Sequence, residues 1–160
     1  MLLRICLGDD LSSADGPTSE IGVPEGSGNR RRILLADDRP VTLERATKLL
    51  QTTFDVVGAA HDGLELVEQA MRLNPDIIVA DISMPELDGI EAAHRLREMG
   101  DQAAVVFLTI HDEPEFVEAC LVEGALGYVV KCHMGTGLIP AINAALSGER
   151  FVSSTRDTNT

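Results

Sequence analysis

Three carboxylates, one hydroxyl and one ammonium each stand at the end of a short aliphatic run in this chain. Asp37 and Asp38 follow ILLA, Asp81 follows IIVA, Thr109 follows VVFL, and Lys131 follows GYVV. Carboxylate oxygens bind hard divalent cations, and an ammonium beside them attracts an anion such as a phosphoryl group. These residue types could hold Mg²⁺ and a phosphate in one site if the fold brings the ends of the runs together.

The surrounding elements predict that the fold does so. Five aliphatic runs of about strand length alternate with five stretches of helical spacing. Runs that are apolar throughout indicate strands covered on both faces. The repeated strand-helix order indicates right-handed crossovers and a parallel sheet. We therefore predict an α/β domain with a five-stranded parallel sheet and helices on both faces, whose ligands bind where the strands end.

The predicted crowding of acids requires a compensating cation. Like charges within about 4–6 Å raise one another's pKa and destabilise the fold. Mg²⁺ suits the cluster because it coordinates hard oxygens, keeps several waters and takes a ligand from a phosphate. The cluster as predicted includes neither histidine nor cysteine, which disfavours zinc. Lys131 supplies a further positive charge at the same place.

The composition restricts the partners of the protein. Its 160 residues carry a formal net charge of −13, and 44% of them are hydrophobic. A surface of that sign repels nucleic acid and anionic lipid, so neither is expected as a direct partner. No apolar run approaches the ~18 residues of a membrane span, and the first residues lack the features of a secretory signal. Three cysteines without a metal-binding spacing indicate a reducing compartment, so we expect a cytoplasmic protein.

Composition also divides the chain into three parts. The stretch GDDLSSADGPTSEIGVPEGSGN is dense in glycine, serine, proline and acids, and it buries too little apolar surface to become ordered. We expect a flexible N-terminal extension over residues 1–30, the α/β domain over 31–152 and a short C-terminal tail over 153–160. The tail is too short for an output domain.

Four segments resemble the receiver domain of bacterial two-component response regulators. They are ILLADDRP, DIIVADISMPELDGIEA, VVFLT and GALGYVVK, in that order and at compatible spacings. The last segment, with LIPAINAALSGERFVS after it, is similar to the NarL/FixJ subfamily. The resemblance covers about residues 31–152 and implies the flavodoxin-like (βα)5 fold. One departure is Cys132, which follows Lys131 where many receivers have proline.

The resemblance implies a role for each reactive residue. Asp81 is expected to be the phosphoacceptor, and Lys131 and Thr109 are expected to bind oxygens of the phosphoryl group. Tyr128 is expected to turn inward when phosphorylation draws Thr109 towards the added charge. The implied ligands of Mg²⁺ are Asp37, Asp38, Asp81 and the backbone carbonyl of Ser83.

The expected function is that of a phosphorylatable receiver in two-component signal transduction. The resemblance implies a sensor histidine kinase or a phosphotransfer protein as partner on the input side. A downstream protein would bind the face that switches, and a second copy of the chain could join it in a homodimer. The protein is not expected to be an enzyme with external substrates, because it would catalyse only phosphorylation and dephosphorylation of its own aspartate.

Two other interpretations stay open. Members of the subfamily usually continue into a helix-turn-helix DNA-binding domain, so the alternative is a transcription regulator whose output domain is missing from this chain. The sequence downstream of Thr160 would decide between the two. A Mg²⁺-dependent phosphatase of related architecture is the weaker interpretation, because Ser83 occupies the position of the general acid that such enzymes use.

Overall fold

The computed structural model of the protein describes residues 30–111 and 113–153. These residues include a compact unit that begins at Arg31. The predicted flexible extension over 1–30 and the tail over 153–160 lie outside the described residues, except for one residue of each. None of the helices in the described part of the chain has the length and apolarity needed to cross a bilayer.

A parallel sheet forms the centre of this unit. Its strands lie in the order β2-β1-β3-β4-β5-β6, and each neighbouring pair is parallel. The strands are β1 (Arg32–Ala36), β2 (Asp55–Ala60), β3 (Ile77–Ala80), β4 (Ala104–Thr109), β5 (Gly127–Val130) and β6 (Phe151–Ser153). The predicted α/β fold with a parallel sheet is confirmed, and the first five strands are those that the sequence predicted.

The sixth strand corrects the prediction of a five-stranded sheet. Phe151–Ser153 pair in parallel with Gly127–Val129, and the N–H of Phe151 donates to the carbonyl of Leu126 at 2.8 Å. A run of three residues is too short to show a period. It pairs because the chain turns at Gly148, whose φ is +77°, and returns alongside β5.

Five helices connect the strands and cover both faces of the sheet. They are α1 (Pro40–Leu50), α2 (Gly63–Leu73), α3 (Gly89–Glu98), α4 (Pro114–Val122) and α5 (Met134–Leu146). A short 3₁₀ turn, Lys131–His133, precedes α5. Successive residues of the buried strands alternate between two cores. Ile33 and Leu35 of β1 pack in the core with α1 and α5, whereas Leu34 and Ala36 pack in the core with α2, α3 and α4.

Local signals fix where the helices begin. The Asp88 side chain accepts the N–H of Glu91 at 2.7 Å and caps α3. Prolines occupy the first turns of α1 and α4, where the missing N–H would have no helical partner. Each helix therefore begins a short loop after the carboxyl end of a strand. These short loops keep the strand-end residues close to the sheet.

Candidate functional site

The register of the sheet places Asp37 and Asp81 side by side. Strands β1 and β3 are neighbours, and Ala36 pairs with Ala80, so the residue after each strand lies at the same level. The N–H of Asp81 also donates to the carbonyl of Ala36 at 2.9 Å. Acids from two strand ends that are more than forty residues apart in sequence thereby meet at the carboxyl edge of the sheet.

Three carboxyl groups form a cluster at this edge. One oxygen from each of Asp37, Asp38 and Asp81 lies within 4.8 Å of an oxygen from each of the other two. Asp37 and Asp81 are only 3% and 5% exposed, whereas Asp38 faces solvent. The cluster is therefore anchored in the protein on one side and open to water on the other.

Lys131 brings a cation to the two buried acids. Its ammonium Nζ lies 2.7 Å from Oδ2 of Asp37 and 3.3 Å from Oδ2 of Asp81. The side chain starts at the end of β5 and is only 13% exposed, so it crosses the end of β4 to reach the acids that follow β1 and β3. Its charge is therefore weakly screened by solvent and acts on both carboxylates.

Burial is the main influence on the ionisation of Asp81. Removing the carboxylate from water raises the pKa of Asp81, and the nearby negative charge of Asp37 raises this pKa further. The Lys131 ammonium and the hydrogen bond that it donates act in the opposite direction, but they do not outweigh the burial. Asp81 is thus a carboxylate held in a poorly solvated position, where additional positive charge would favour its ionised form.

The donor set fits a hard divalent cation. Oδ1 of Asp37 accepts the N–H of Arg39 at 2.8 Å, but Oδ2 is buried and accepts no hydrogen bond among the described residues. The approach of the Lys131 ammonium to Oδ2 is therefore an ionic contact without hydrogen-bond alignment. A buried carboxylate oxygen with spare coordination, beside two further carboxylates, offers the oxygen ligands that Mg²⁺ requires.

A small cavity connects the cluster to solvent. Its volume is about 130 Å³, which corresponds to roughly four water molecules. The lining residues are Asp38, Arg39, Asp81, Ser83, Ile110 and Lys131. A tetrahedral anion with its oxygens towards Lys131 has room in such a cavity, and an approaching group can reach the Asp81 carboxylate through it.

Thr109 and Tyr128 do not line the cavity. Both are fully buried, and the Thr109 hydroxyl accepts the N–H of His111 at 3.3 Å. The Tyr128 hydroxyl donates to the backbone carbonyl of the same histidine. Tyr128 therefore lies in the inward position that the resemblance implies for the phosphorylated state, and both side chains are hydrogen-bonded to the backbone of His111.

The side chain of His111 links the cavity wall to α4. Its Nε2 lies 3.1 Å from the Ser83 hydroxyl, at the mouth of the cavity. Its ring stacks on Phe116 with a centroid distance of 4.3 Å, and its Nδ1 lies 3.6 Å from the Glu113 carboxylate. Residues of the cavity wall and of α4 thus contact the same imidazole. The sequence places His111 beside the site, but it carries no signal for the stacking partner.

Gly89 holds the loop that follows Asp81. A Cβ at this position would lie 2.0 Å from the backbone oxygen of Asp81. The Gly89 N–H also donates to the carbonyl of Ile82 at 2.7 Å. The glycine of the segment ELDGIEA is therefore required because α3 begins directly against the backbone of Asp81.

Replacing Gly89 with alanine should destabilise the protein by about 2 kcal/mol, because backbone must move to admit the methyl group. Urea unfolding measures the change. Gly135→Ala is the matched control, since a Cβ there meets no atom within 4 Å and α5 should gain up to ~1 kcal/mol. Equal stability of the Gly89 variant and the wild type would contradict the close approach.

The two described cysteines should differ in reactivity. Burial raises the pKa of Cys120 to about 12, whereas Cys132 is exposed beside Lys131. Because the thiolate is the reactive form, Cys132 should react with Ellman's reagent in the folded protein at pH 8, and Cys120 only after unfolding. Cys6→Ser combined with either Cys120→Ser or Cys132→Ser isolates each thiol. Prompt reaction of Cys120 in the folded protein would contradict its burial.

The comparisons with known proteins agree with this architecture. Residues 33–143 match the family model of the response regulator receiver domain. The chain is 38% identical over 120 residues to the uncharacterized transcriptional regulatory protein YxjL of Bacillus subtilis, a match that covers 74% of this chain and 55% of that protein. The chain therefore spans little more than half the length of this curated relative.

Solved structures give the same result. The receiver domain of the putative response regulator NarL from Mycobacterium tuberculosis superposes with a TM-score of 0.72 at 30% identity, covering 75% of this chain and 98% of that one. The isolated receiver domain of RcsB from Salmonella enterica serovar Typhimurium, solved in the presence of phosphomimetic BeF₃⁻, gives 0.74 at 26% identity, covering 81% and 98%. The chain belongs to the response regulator receiver family, and its relatives include regulators of the NarL type.

Proposed function

We propose that Asp81 is the phosphoacceptor of this receiver domain. The observation that carries the proposal is the position of its carboxylate. It is buried at the carboxyl edge of the sheet, beside two further acids and the Lys131 ammonium, and it lines a cavity open to solvent. An ionised carboxylate with a cation on one side and access on the other is suited to attack an electrophilic phosphorus.

In the proposed reaction an oxygen of Asp81 attacks the phosphorus of the donor, and an acyl phosphate bond forms. The bond from phosphorus to the donor breaks, and the donor keeps the electron pair. Lys131 binds a phosphoryl oxygen, and the Thr109 hydroxyl donates a hydrogen bond to another. Such a reaction asks of the protein mainly positioning and charge stabilisation.

The acid cluster would hold Mg²⁺ in this reaction. The proposed ligands are carboxylates of Asp37, Asp38 and Asp81 with the backbone carbonyl of Ser83. Bound there, the ion supplies positive charge that offsets the repulsion between the carboxylate and the phosphoryl oxygens. Its protein ligands also fix the position of the Asp81 carboxylate relative to the incoming group.

The output would be a change in the loop before α4. A phosphoryl group that draws the Thr109 hydroxyl towards it breaks the hydrogen bond from the N–H of His111. The backbone carbonyl of His111 also accepts a hydrogen bond from Tyr128, and its ring stacks on Phe116 of α4. Displacement of His111 would therefore alter the face near α4 and β5. The proposed partners are a sensor histidine kinase or phosphotransfer protein on the input side and a protein that reads this face on the output side.

The test uses acetyl phosphate as donor and intact mass as readout. With Mg²⁺ the protein should gain the mass of one phosphoryl group, and with EDTA it should not. Hydroxylamine should remove the group, because it cleaves an acyl phosphate but not a serine or threonine phosphoester. A protein that neither gains this mass nor binds beryllofluoride in the presence of Mg²⁺ would overturn the proposal.

A DNA-binding transcription regulator is the second candidate for the whole protein. Two features of the relative YxjL favour it. YxjL is named a transcriptional regulatory protein, and the match with this chain covers only 55% of its length. The described domain would then be the phosphorylated control part. Sequencing the gene beyond the codon for Thr160 tests this candidate, because a helix-turn-helix segment should follow.

A further inference from the structure

We infer that Ser153 of strand β6 and His133 position Lys131, so that β6 belongs to the phosphoryl-binding machinery. The inference rests on the proposed function, because the role of Lys131 in binding a phosphoryl oxygen is part of it. It assigns a task to a strand that lies outside the five strand-helix units and to two side chains that do not line the cavity.

A short 3₁₀ turn carries the lysine. Lys131, Cys132 and His133 form a single 3₁₀ turn between β5 and α5, and the N–H of Met134 donates to the carbonyl of Lys131. The lysine side chain points across the sheet edge to the two buried acids. In a turn this short, a shift at His133 is passed to the backbone of Lys131, because the same hydrogen bond spans both residues.

A hydrogen bond from β6 holds this turn from outside. Nδ1 of His133 and the Ser153 hydroxyl share a hydrogen bond of 3.1 Å, and both side chains are half-buried. Because β5 and β6 are parallel, Ser153 pairs with Val129 and lies near the carboxyl edge, close to where Lys131 begins. The sixth strand therefore ends in a polar side chain at the same edge of the sheet as Asp37, Asp81 and Thr109.

The Ser153 hydroxyl lies close to helix α5. A Cβ on Gly137 of α5 would lie 3.4 Å from the Ser153 oxygen and 3.5 Å from a methyl group of Val129. The helix thus passes close to both strands at this point. Phe151, at the other end of β6, packs against the core formed with α1 and α5. The hydroxyl that contacts His133 therefore lies on a paired strand with a helix close beside it.

A thermodynamic consequence follows from this arrangement. If docked β6 favours the orientation of Lys131 that binds a phosphoryl oxygen, then a bound phosphoryl group must favour docked β6 by the same free energy. Strand β6, on the opposite side of the site from α4, would therefore respond when the site binds a phosphoryl group. Occupancy of the site and protection of β6 should change together.

The test compares two affinities in each variant. Beryllofluoride with Mg²⁺ reports the phosphoryl site, which Lys131 contacts, whereas Mg²⁺ alone reports the acid cluster. Ser153→Ala should weaken beryllofluoride binding roughly two- to tenfold, the loss of one hydrogen bond. It should not weaken Mg²⁺ binding, because Lys131 contacts the same acids as a competing cation. Ser147→Ala, at an exposed serine after α5, is the matched control and should change neither affinity.

The histidine supplies a rescue experiment. His133→Asn keeps a hydrogen-bonding group near the position of Nδ1, so it should bind beryllofluoride more tightly than His133→Phe, which has none. Hydrogen exchange at the Phe151 amide, which donates to Leu126, should slow in wild-type protein when beryllofluoride and Mg²⁺ bind. In Ser153→Ala the slowing should be smaller.

The outcomes separate the inference from the function on which it rests. Absence of beryllofluoride binding in the wild type would overturn the proposed function and the inference with it. Binding in the wild type with equal affinity in Ser153→Ala and Ser147→Ala would overturn the inference alone. An equal loss of Mg²⁺ and beryllofluoride affinity in Ser153→Ala would also overturn it, because that result indicates general destabilisation rather than positioning of Lys131.

Discussion

Replacing Asp81 with asparagine is expected to abolish the Mg²⁺-dependent gain of one phosphoryl group from acetyl phosphate. The amide keeps the size of the side chain but lacks the negative charge and the nucleophilic oxygen. The neighbouring Asp37 is buried against Lys131 and does not line the cavity, so it should not take over the reaction. Intact mass spectrometry after incubation with the donor measures the change, and the expected signal of the variant is that of a sample treated with EDTA.

The fold of this variant should survive the substitution. Burial raises the pKa of Asp81, so the ionised carboxylate is less favourable in the folded than in the unfolded protein. Removing it should raise the free energy of unfolding at neutral pH without Mg²⁺. Asp55→Asn, at an exposed acid where β2 begins, is the matched control and should be labelled like the wild type. Labelling of Asp81→Asn at the wild-type level would remove Asp81 from its role.

Replacing Lys131 with methionine is expected to lower the free energy of unfolding by about 3 kcal/mol at neutral pH without Mg²⁺, the cost of breaking a buried ion pair. The methionine retains most of the apolar stem, so the loss arises mainly from the missing charge. Asp37 and Asp81 would then face each other with no ammonium between them. Saturating Mg²⁺ should restore a large part of the loss, because the ion replaces the missing positive charge and binds only the folded state.

The pH dependence of this variant has a definite sign. A carboxyl group whose pKa is raised by folding binds its proton more tightly in the folded state, so stability falls as pH rises through the raised pKa. The wild type already has this contribution from Asp81. Without the Lys131 ammonium the fall should be larger, and it should extend from the ordinary pKa of an aspartate to a higher pH than in the wild type. Urea unfolding at several pH values between 4 and 8 measures it.

The control for this experiment is an exposed lysine. Lys48→Met removes an ammonium that lies 3.9 Å from Glu44 on the surface of α1, and both side chains are mostly exposed. Such pairs contribute little, so its stability should stay within about 0.5 kcal/mol of the wild type and show no response to Mg²⁺. If Lys131→Met and Lys48→Met behaved alike, the ammonium of Lys131 would not be what compensates the buried acids.

Much of the fold could be predicted from the sequence because its signals are local and repeated. Continuous aliphatic runs report burial on both faces, and helical spacing with proline starts and glycine ends reports the crossovers. The parallel order then follows from the handedness of the connections. Strand β6 lacked such signals, since three residues cannot show a period, and its pairing depends on where α5 delivers the chain.

The candidate site was predictable in its membership but not in its geometry. Asp37, Asp81 and Lys131 follow strands, and parallel strands end at one edge, so their meeting could be deduced from the chain alone. The contacts of His111 with Ser83 and Phe116 could not be deduced. They depend on how the loop before α4 folds over the edge, which no local pattern describes.

The sequence by itself determined which residue types end the strands, and with them the family and the proposed chemistry of the site. The tertiary structure alone decided that Asp37 rather than Asp38 is buried against Lys131, that Tyr128 lies inward, and that Ser153 reaches the turn after the lysine. The physical reason is that strand ends follow from local pattern and connectivity, whereas side-chain contacts across the sheet edge follow from register and from the path of the chain after each strand.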